Sequence, residues 1–267
     1  MISNRQDLSS AIVIMKKIVL ITGATAGFGE ACAHIFAKNG YALILNGRRK
    51  ERLESLQQKL QAEYTTESWL LPCDVRDRDA VFNAIESLPE AWQQIDILIN
   101  NAGLALGRDL FSDASLDDWE TMIDTNVKGL LYVSKAVVPL MIKRRHGHII
   151  NIGSIAGKEI YEKGNVYCAS KHAVDALSKS MRIDLLPHHI KVTAIHPGAA
   201  ETEFSLVRFK GDAATAKSVY AGYQPLSAED IADTVFFTAS LPAHVCINDL
   251  VITCTQQASS IYFNKEE

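Results

Sequence analysis

Cysteine is sparse and scattered in this sequence: Cys32, Cys73, Cys168, Cys246 and Cys254 make an odd five, with no Cys-x-x-Cys spacing. That pattern excludes a disulfide framework and a structural zinc site, and it fits a reducing compartment, so a cytoplasmic protein is expected. No block of like charge stands out either. The formal net charge of −4 is spread along the chain, which gives no electrostatic footprint for nucleic acid and leaves small-molecule chemistry as the default. Long apolar runs are missing too. The one near the N-terminus, Ala11 to Met15, is too short for a membrane span and lacks the basic start and cleavage site of a signal peptide. Residues 1–14 carry no motif, and Met15 could serve as a first residue; the segment is expected to be a mobile extension or an artefact of the chosen start. No Pro/Gly/Ser-rich linker and no internal repeat divides the rest of the chain.

What is present is an apolar content of 48%, enough for a sizeable core. Much of it falls in seven short runs: Lys17–Thr22, Ala42–Leu45, Trp69–Leu71, Ile95–Ile99, His148–Ile152, Val192–Ile195 and Leu250–Thr253, separated by helical stretches. Strands alternating with helices predict an α/β fold, a single-domain, Rossmann-type, doubly wound parallel sheet of seven strands with helices on both faces, over residues 15–267. Ligands of such a sheet sit beyond the carboxyl ends of its strands.

The strand ends are where the informative residues lie. The first runs into Thr22-Gly23-Ala24-Thr25-Ala26-Gly27-Phe28-Gly29. Glycines there permit a tight turn and close approach to a diphosphate, with a helix N-terminus behind it; an ordinary strand-to-helix turn rarely needs three. The second runs into Arg48-Arg49-Lys50 with no acid at its end. An acid would read a free ribose 2′-hydroxyl, whereas arginines read a 2′-phosphate, so the cofactor expected is NADP. Three cations at a helix start also oppose its dipole by roughly 0.3–1 kcal/mol each, which a bound anion would relieve. At the third strand end Asp74 could accept from an adenine amine or cap the helix from Asp77. Asn100-Asn101-Ala102-Gly103 at the fourth could floor a flat ligand or be a plain turn.

A long helical pattern from Leu116 to Arg145 places Asn126 on its apolar stripe, as a structural bridge or a positioned polar group. Ser154 follows the fifth strand, thirteen residues before Tyr167, and Lys171 stands four after Tyr167. Residues at i and i+4 share a helix face, so an ammonium lies beside a phenol and should lower its pKa for acid/base work, while Ser154 can meet the same substrate oxygen. Taken alone, Tyr-x-x-x-Lys is more often a solvated face. After His196-Pro197-Gly198, the charged and aromatic segment 199–212 reads as a mobile loop or a lid.

Taken together, these motifs resemble the short-chain dehydrogenase/reductase superfamily from about Met15 to Ala258. Gly47 to Leu53, Asn101 to Gly107, Asp118 to Asn126 and Glu203 to Asp212 look more narrowly like the NADP-dependent 3-hydroxy acid dehydrogenases. Members of that group oxidise serine, allo-threonine and related 3-hydroxy acids, or reduce malonic semialdehyde. The resemblance implies that Ser154 polarises the substrate oxygen, Tyr167 transfers the proton, Lys171 lowers the tyrosine pKa and binds the nicotinamide ribose, and Asn126 anchors a water. It implies an NADP site formed by Gly23, Thr25, Ala26, Gly27, Phe28, Gly29, Arg48, Arg49, Asp74, Val75, Asn101, Ala102, Gly103, Tyr167, Lys171, Pro197, Gly198 and Thr202. No metal is required, and family members are usually homotetramers. Thr253-Cys254-Thr255 departs from the pattern where a methionine-proline pair is expected, which puts the C-terminal wall of the pocket in question. A substrate carboxylate needs a further cation; Arg208 is the choice over Lys210, against the alternative that Arg208 pairs with Glu203 or Asp212 to stiffen the loop. The competing readings are a carbonyl or 3-oxoacyl-thioester reductase of the same superfamily and a non-catalytic NADP-binding protein.

Overall fold

The computed structural model describes residues 16–266, and the expectation for residues 1–14 lies outside the described residues. In chain order the elements are β1 (Ile18–Ile21), α1 (Gly27–Lys38), β2 (Ala42–Asn46), α2 (Lys50–Tyr64), β3 (Ser68–Leu71), α3 (Arg78–Glu86), β4 (Ile95–Asn100), α4 (Leu116–Ile123), α5 (Leu130–Arg144), β5 (Gly147–Ile152), α6 (Asn165–Leu185), β6 (Ile190–Pro197), α7 (Glu203–Arg208), α8 (Ala213–Ser218), α9 (Ala228–Ser240) and β7 (Asp249–Ile252). The strands pair in parallel in the order β3-β2-β1-β4-β5-β6-β7. All seven expected runs are strands of this one sheet.

Alternation along each strand sends successive side chains to opposite faces. Val19 and Ile21 of β1 pack under α1, α2 and α9 with Phe36, Leu53 and Val235. Ile18 and Leu20 face the other way, onto α3, α5 and α6 with Val81, Val137 and Leu185. Burial on both faces is why the inner strands read as continuous apolar runs rather than alternating ones. The strand order reverses between β1 and β4, and a crevice opens there at their carboxyl ends.

Two local expectations are corrected. The stretch from Leu116 to Arg144 is not one regular helix, because Asp124–Gly129 forms a π-helical turn between α4 and α5. Met122 before the turn and Leu130, Val133, Val137 and Met141 after it are buried at spacings an uninterrupted helix would also give, so hydrophobic spacing does not reveal the turn. Asp74 caps no helix; Asp77 does, accepting from the Ala80 N–H at 3.0 Å. Among the described residues no helix is long and apolar enough to cross a membrane.

Candidate active site

The three glycines after β1 do separate jobs. Gly23 has φ +65° and Gly27 φ +53°, backbone conformations that side chains rarely adopt, and a Cβ on Gly23 would meet the Ala102 backbone at 3.0 Å. Gly29 is different: a Cβ there would lie 2.2 Å from the Gly23 carbonyl oxygen, and the residue is buried behind the turn rather than in the cavity wall. It sets the packing of α1 against the turn and does not line the cavity. The α1 N-cap, Ala26, offers no side-chain acceptor, so the first N–H groups of the helix remain available to an anion. Asn101 locks the turn from the neighbouring strand. Its Nδ2 donates to the Thr22 and Gly23 carbonyls at 2.9 and 3.1 Å, while the Thr22 hydroxyl accepts from the Asn101 and Ala102 N–H groups, both at 3.0 Å.

A cavity of about 1000 Å³ runs from this turn to the lid. Apart from Gly29 and Asn126, every expected cofactor, catalytic and substrate residue lines it. Arg48 and Arg49 are exposed at one end, without an acid partner among the described residues; Arg49 approaches the Thr25 hydroxyl at 3.5 Å. Asp74 is not free in the same sense, since Arg76 clasps it through Nε at 3.0 Å and Nη2 at 2.7 Å. Burial raises its carboxyl pKa, but the Arg76 bonds and charge, aided by Arg48, bring it net below the ordinary value. A tight turn, uncapped helix N–H groups, free arginines and a cleft of this length fit a phosphorylated dinucleotide.

Asn126 sits behind the cavity and bridges three elements. Its Oδ1 accepts from the Leu104 N–H at 2.8 Å, and its Nδ2 donates to the Leu104 carbonyl at 2.8 Å and the Ser170 hydroxyl at 3.0 Å. Both amide hydrogens are therefore spent, and the bridge reading describes the side chain. Gly103 is squeezed over it, since a Cβ there would lie 3.2 Å from Asn126 Oδ1 and 3.5 Å from Lys171 Nζ.

At the other end Ser154, Tyr167 and Lys171 converge. Ser154 Oγ accepts from the Ala156 N–H at 3.1 Å, which leaves its own proton to donate outward. Tyr167 is buried, its ring 5.8 Å from that of Phe204. The expected lowering of its pKa by Lys171 is not found. Burial and the Tyr161 phenol push Tyr167 well up, and the adjacent Ser154 hydroxyl and Arg208 guanidinium pull it back only in part. Lys171 instead donates to the Ile152 carbonyl at 3.0 Å, and burial brings its own pKa down from 10.5 to about 8. The chain's own groups thus hold Tyr167 protonated, with an amine beside it that can exchange a proton near neutrality.

A depressed lysine pKa carries a stability signature. The unfolded chain binds more protons between pH 8 and the ordinary 10.5, so folding gains stability as pH rises through that window and gains nothing below it. The difference in unfolding free energy between wild type and Lys171→Met is expected to change by on the order of 2–3 kcal/mol between neutral pH and the top of the window. Denaturant titrations at the two pH values check this. A difference independent of pH would mean that Lys171 does not bury a charge.

The 199–212 segment is folded over the cavity as a lid. Thr202 caps α7, accepting from the Phe204 N–H at 3.2 Å. Arg208 pairs with neither acid weighed for it: Glu203 meets Arg52 at 3.3 Å, and Asp212 caps α8. Its Nε donates to the Gly107 carbonyl at 3.2 Å and its Nη1 to the Tyr161 hydroxyl at 3.1 Å, leaving the guanidinium 5.6 Å from the Tyr167 ring centroid. Lys210 turns away to Asp118 at 2.8 Å. The questioned C-terminal wall is in place: Gln257 accepts from the Ala199 N–H at 2.8 Å, and Ser260, Ile261 and Phe263 line the cavity beside it. Those residues, like Tyr161, lie in irregular segments where spacing carries no signal.

The family model for short chain dehydrogenases matches residues 17–212. The chain belongs to that family. Among curated short chain dehydrogenases, the sulfoacetaldehyde reductase 2 of Chromohalobacter salexigens is 48% identical over 249 residues, covering 93% of this chain and 98% of the relative. The NADP-dependent 3-hydroxy acid dehydrogenase YdfG of Escherichia coli K12 is 47% identical over 251 residues, 93% of this chain and all 100% of the relative. A solved short chain dehydrogenase, the closed form of serine dehydrogenase complexed with NADP+, superposes with a TM-score of 0.87 at 47% identity, covering 94% of this chain and 100% of that one.

Proposed function

We propose that this chain is an NADP-dependent oxidoreductase that moves a hydride between NADP(H) and a small 3-hydroxy acid of the serine, allo-threonine or 3-hydroxypropionate type, or reduces the matching semialdehyde. The observation that carries the acid specificity is Arg208, a guanidinium aimed over the Tyr167 ring with no carboxylate partner among the described residues. The relatives named for 3-hydroxy acids, serine and sulfoacetaldehyde support it, since each of those substrates carries an anionic group. The same guanidinium can take a sulfonate.

The nicotinamide supplies the hydride chemistry when bound, and the protein contributes orientation and charge. Arg48 and Arg49 would hold the 2′-phosphate, the Gly23 to Phe28 turn the diphosphate, and Asp74, Val75, Asn101 to Gly103, Pro197, Gly198 and Thr202 the remaining edges. Ser154 donates its outward proton to the substrate oxygen. Tyr167, held protonated by burial, gives its proton to that oxygen in reduction; in oxidation it takes the substrate's proton only as the phenolate, after passing its own proton to Lys171, which relays it onward and would hold the ribose. Asn126 keeps Leu104 and Ser170 in register beneath them; a water in the relay would have to use its main-chain carbonyl or the remaining Oδ1 lone pair. Arg208 binds the acid group and so fixes the carbon that exchanges hydride.

Arg208→Ala is expected to raise KM for 3-hydroxypropionate by about 100-fold, from the loss of one or two charge-assisted bonds, and to spare a matched alcohol without the acid. Equal impairment of both substrates would leave Arg208 as a brace of the lid alone. We place the protein in the cytoplasm on its five unpaired cysteines. A homotetramer is the expected assembly, supported by the exposed Leu131 on α5 and Ile183 on α6; light scattering tests it.

A further inference from the structure

We infer that His196 is a positioning residue for Ser154, holding the serine's main-chain carbonyl from a buried ring whose far edge faces the Asp175, Asp249 and Lys158 cluster. The inference rests on Ser154 as the group that donates to the substrate oxygen. His196 is the penultimate residue of β6 and its side chain is 0% exposed. Its Nδ1 lies 3.1 Å from the Ser154 carbonyl oxygen, which can only accept, so Nδ1 carries the hydrogen and the tautomer is fixed.

The opposite edge of the ring has no hydrogen-bond partner. Nε2 is 3.6 Å from Asp175 Oδ1 and 3.6 Å from Asp249 Oδ2, beyond normal hydrogen-bond length. The charged groups facing it come from three elements. Lys158, after β5, bridges Asp175 of α6 at 2.7 Å and Asp249 of β7 at 2.5 Å, and Lys179 of α6 takes the other Asp175 oxygen at 2.7 Å. Asp175, His196 and Asp249 have ligand atoms within 4.8 Å of one another, as a metal site would, but the Lys158 ammonium already supplies the cation between the carboxylates. Burial and that ammonium push the His196 pKa down, against the two carboxylates, in keeping with a neutral ring.

The backbone at Gly153, just before the serine, is pressed onto this ring. A Cβ on Gly153 would lie 2.5 Å from His196 Nδ1, so only glycine lets the backbone approach. The Ser154 carbonyl also accepts from the Gly157 N–H at 2.8 Å. The peptide that sets the direction of Oγ is therefore held by the imidazole on one side and its own turn on the other. Loss of the imidazole contact frees that peptide to rotate, and a displacement of a reacting group by about 1 Å can cost 10²-fold in rate.

The experiment compares His196→Asn with His196→Gln in steady-state turnover, beside Ser154→Ala. An asparagine N–H can take the place of Nδ1–H, whereas the glutamine amide reaches only the Nε2 position. His196→Asn is expected to recover most of kcat and His196→Gln to lose about 10- to 100-fold, with the NADPH dissociation constant unchanged in both. Equal loss in the two variants, or wild-type kcat in His196→Gln, would overturn the assignment. Wild-type turnover in Ser154→Ala would instead remove the reading of Ser154 on which it rests. Should the variants fail to fold, nitrogen-15 spectra of the wild-type histidines decide: a buried ring protonated at Nδ1 is expected, and one protonated only at Nε2 is the contrary result.

Discussion

Tyr167→Phe is expected to lower kcat by about 10²- to 10⁴-fold, the usual worth of a positioned general acid or base, while NADPH binding stays close to wild type. The ring is buried against Phe204 and beneath Arg208, and the substitution removes only a hydroxyl, so packing is spared. Because burial raises the Tyr167 pKa, the phenol is an acid first, and oxidation, which needs a base, is expected to speed up as pH rises while reduction does not. Initial rates in both directions across pH, with a fluorescence titration of NADPH, check the whole statement. A Tyr167→Phe enzyme that keeps most of its activity would place proton transfer elsewhere.

The second large effect concerns the cofactor. Arg48→Ala/Arg49→Ala is expected to reduce the ratio of kcat/KM for NADP over NAD by about 10²-fold or more, since each charge-assisted bond to a phosphate contributes roughly 1.5–3 kcal/mol. Neither guanidinium has an acid partner among the described residues, so their removal breaks no ion pair there, and the nearest polar contact, Arg49 to Thr25, is already long at 3.5 Å. The fold is expected to tolerate the change. An unchanged ratio would make the two arginines a solvated helix start and leave the 2′-phosphate unread.

Much of this architecture is legible in the sequence, for one physical reason: strands buried on both faces must be apolar throughout, and the turns between them must supply what a ligand needs. The Gly23 and Gly27 turn shows because positive φ requires glycine. Gly29 looks the same in sequence, yet its reason is helix packing, and only the 2.2 Å approach to the Gly23 oxygen separates the two. The i, i+4 relation of Tyr167 and Lys171 is a helix property and holds; that Lys171 turns to the Ile152 carbonyl is a tertiary fact that spacing does not contain. The π turn around Asn126 hides because the buried apolar residues on either side of it keep spacings an uninterrupted helix would also give. The orientation of Arg208 depends on Gly107 and Tyr161, which reach it from distant loops. The charged cluster behind Ser154 joins residues from α6, β6 and β7, and no local window brings them together.

The most direct test of the proposed activity is a panel of matched substrates with NADP+ and the wild-type protein, read by formation of reduced nicotinamide. It comprises serine, allo-threonine and 3-hydroxypropionate, an alcohol of the same carbon skeleton without the acid, and, in the reducing direction, a 3-oxoacyl thioester. The 3-hydroxy acids are expected to turn over with kcat/KM at least about 100-fold above the matched alcohol, as one or two charge-assisted bonds to Arg208 would give. Reduction of the thioester with no turnover of the free acids, or tight NADPH binding with no turnover of any substrate, would contradict it.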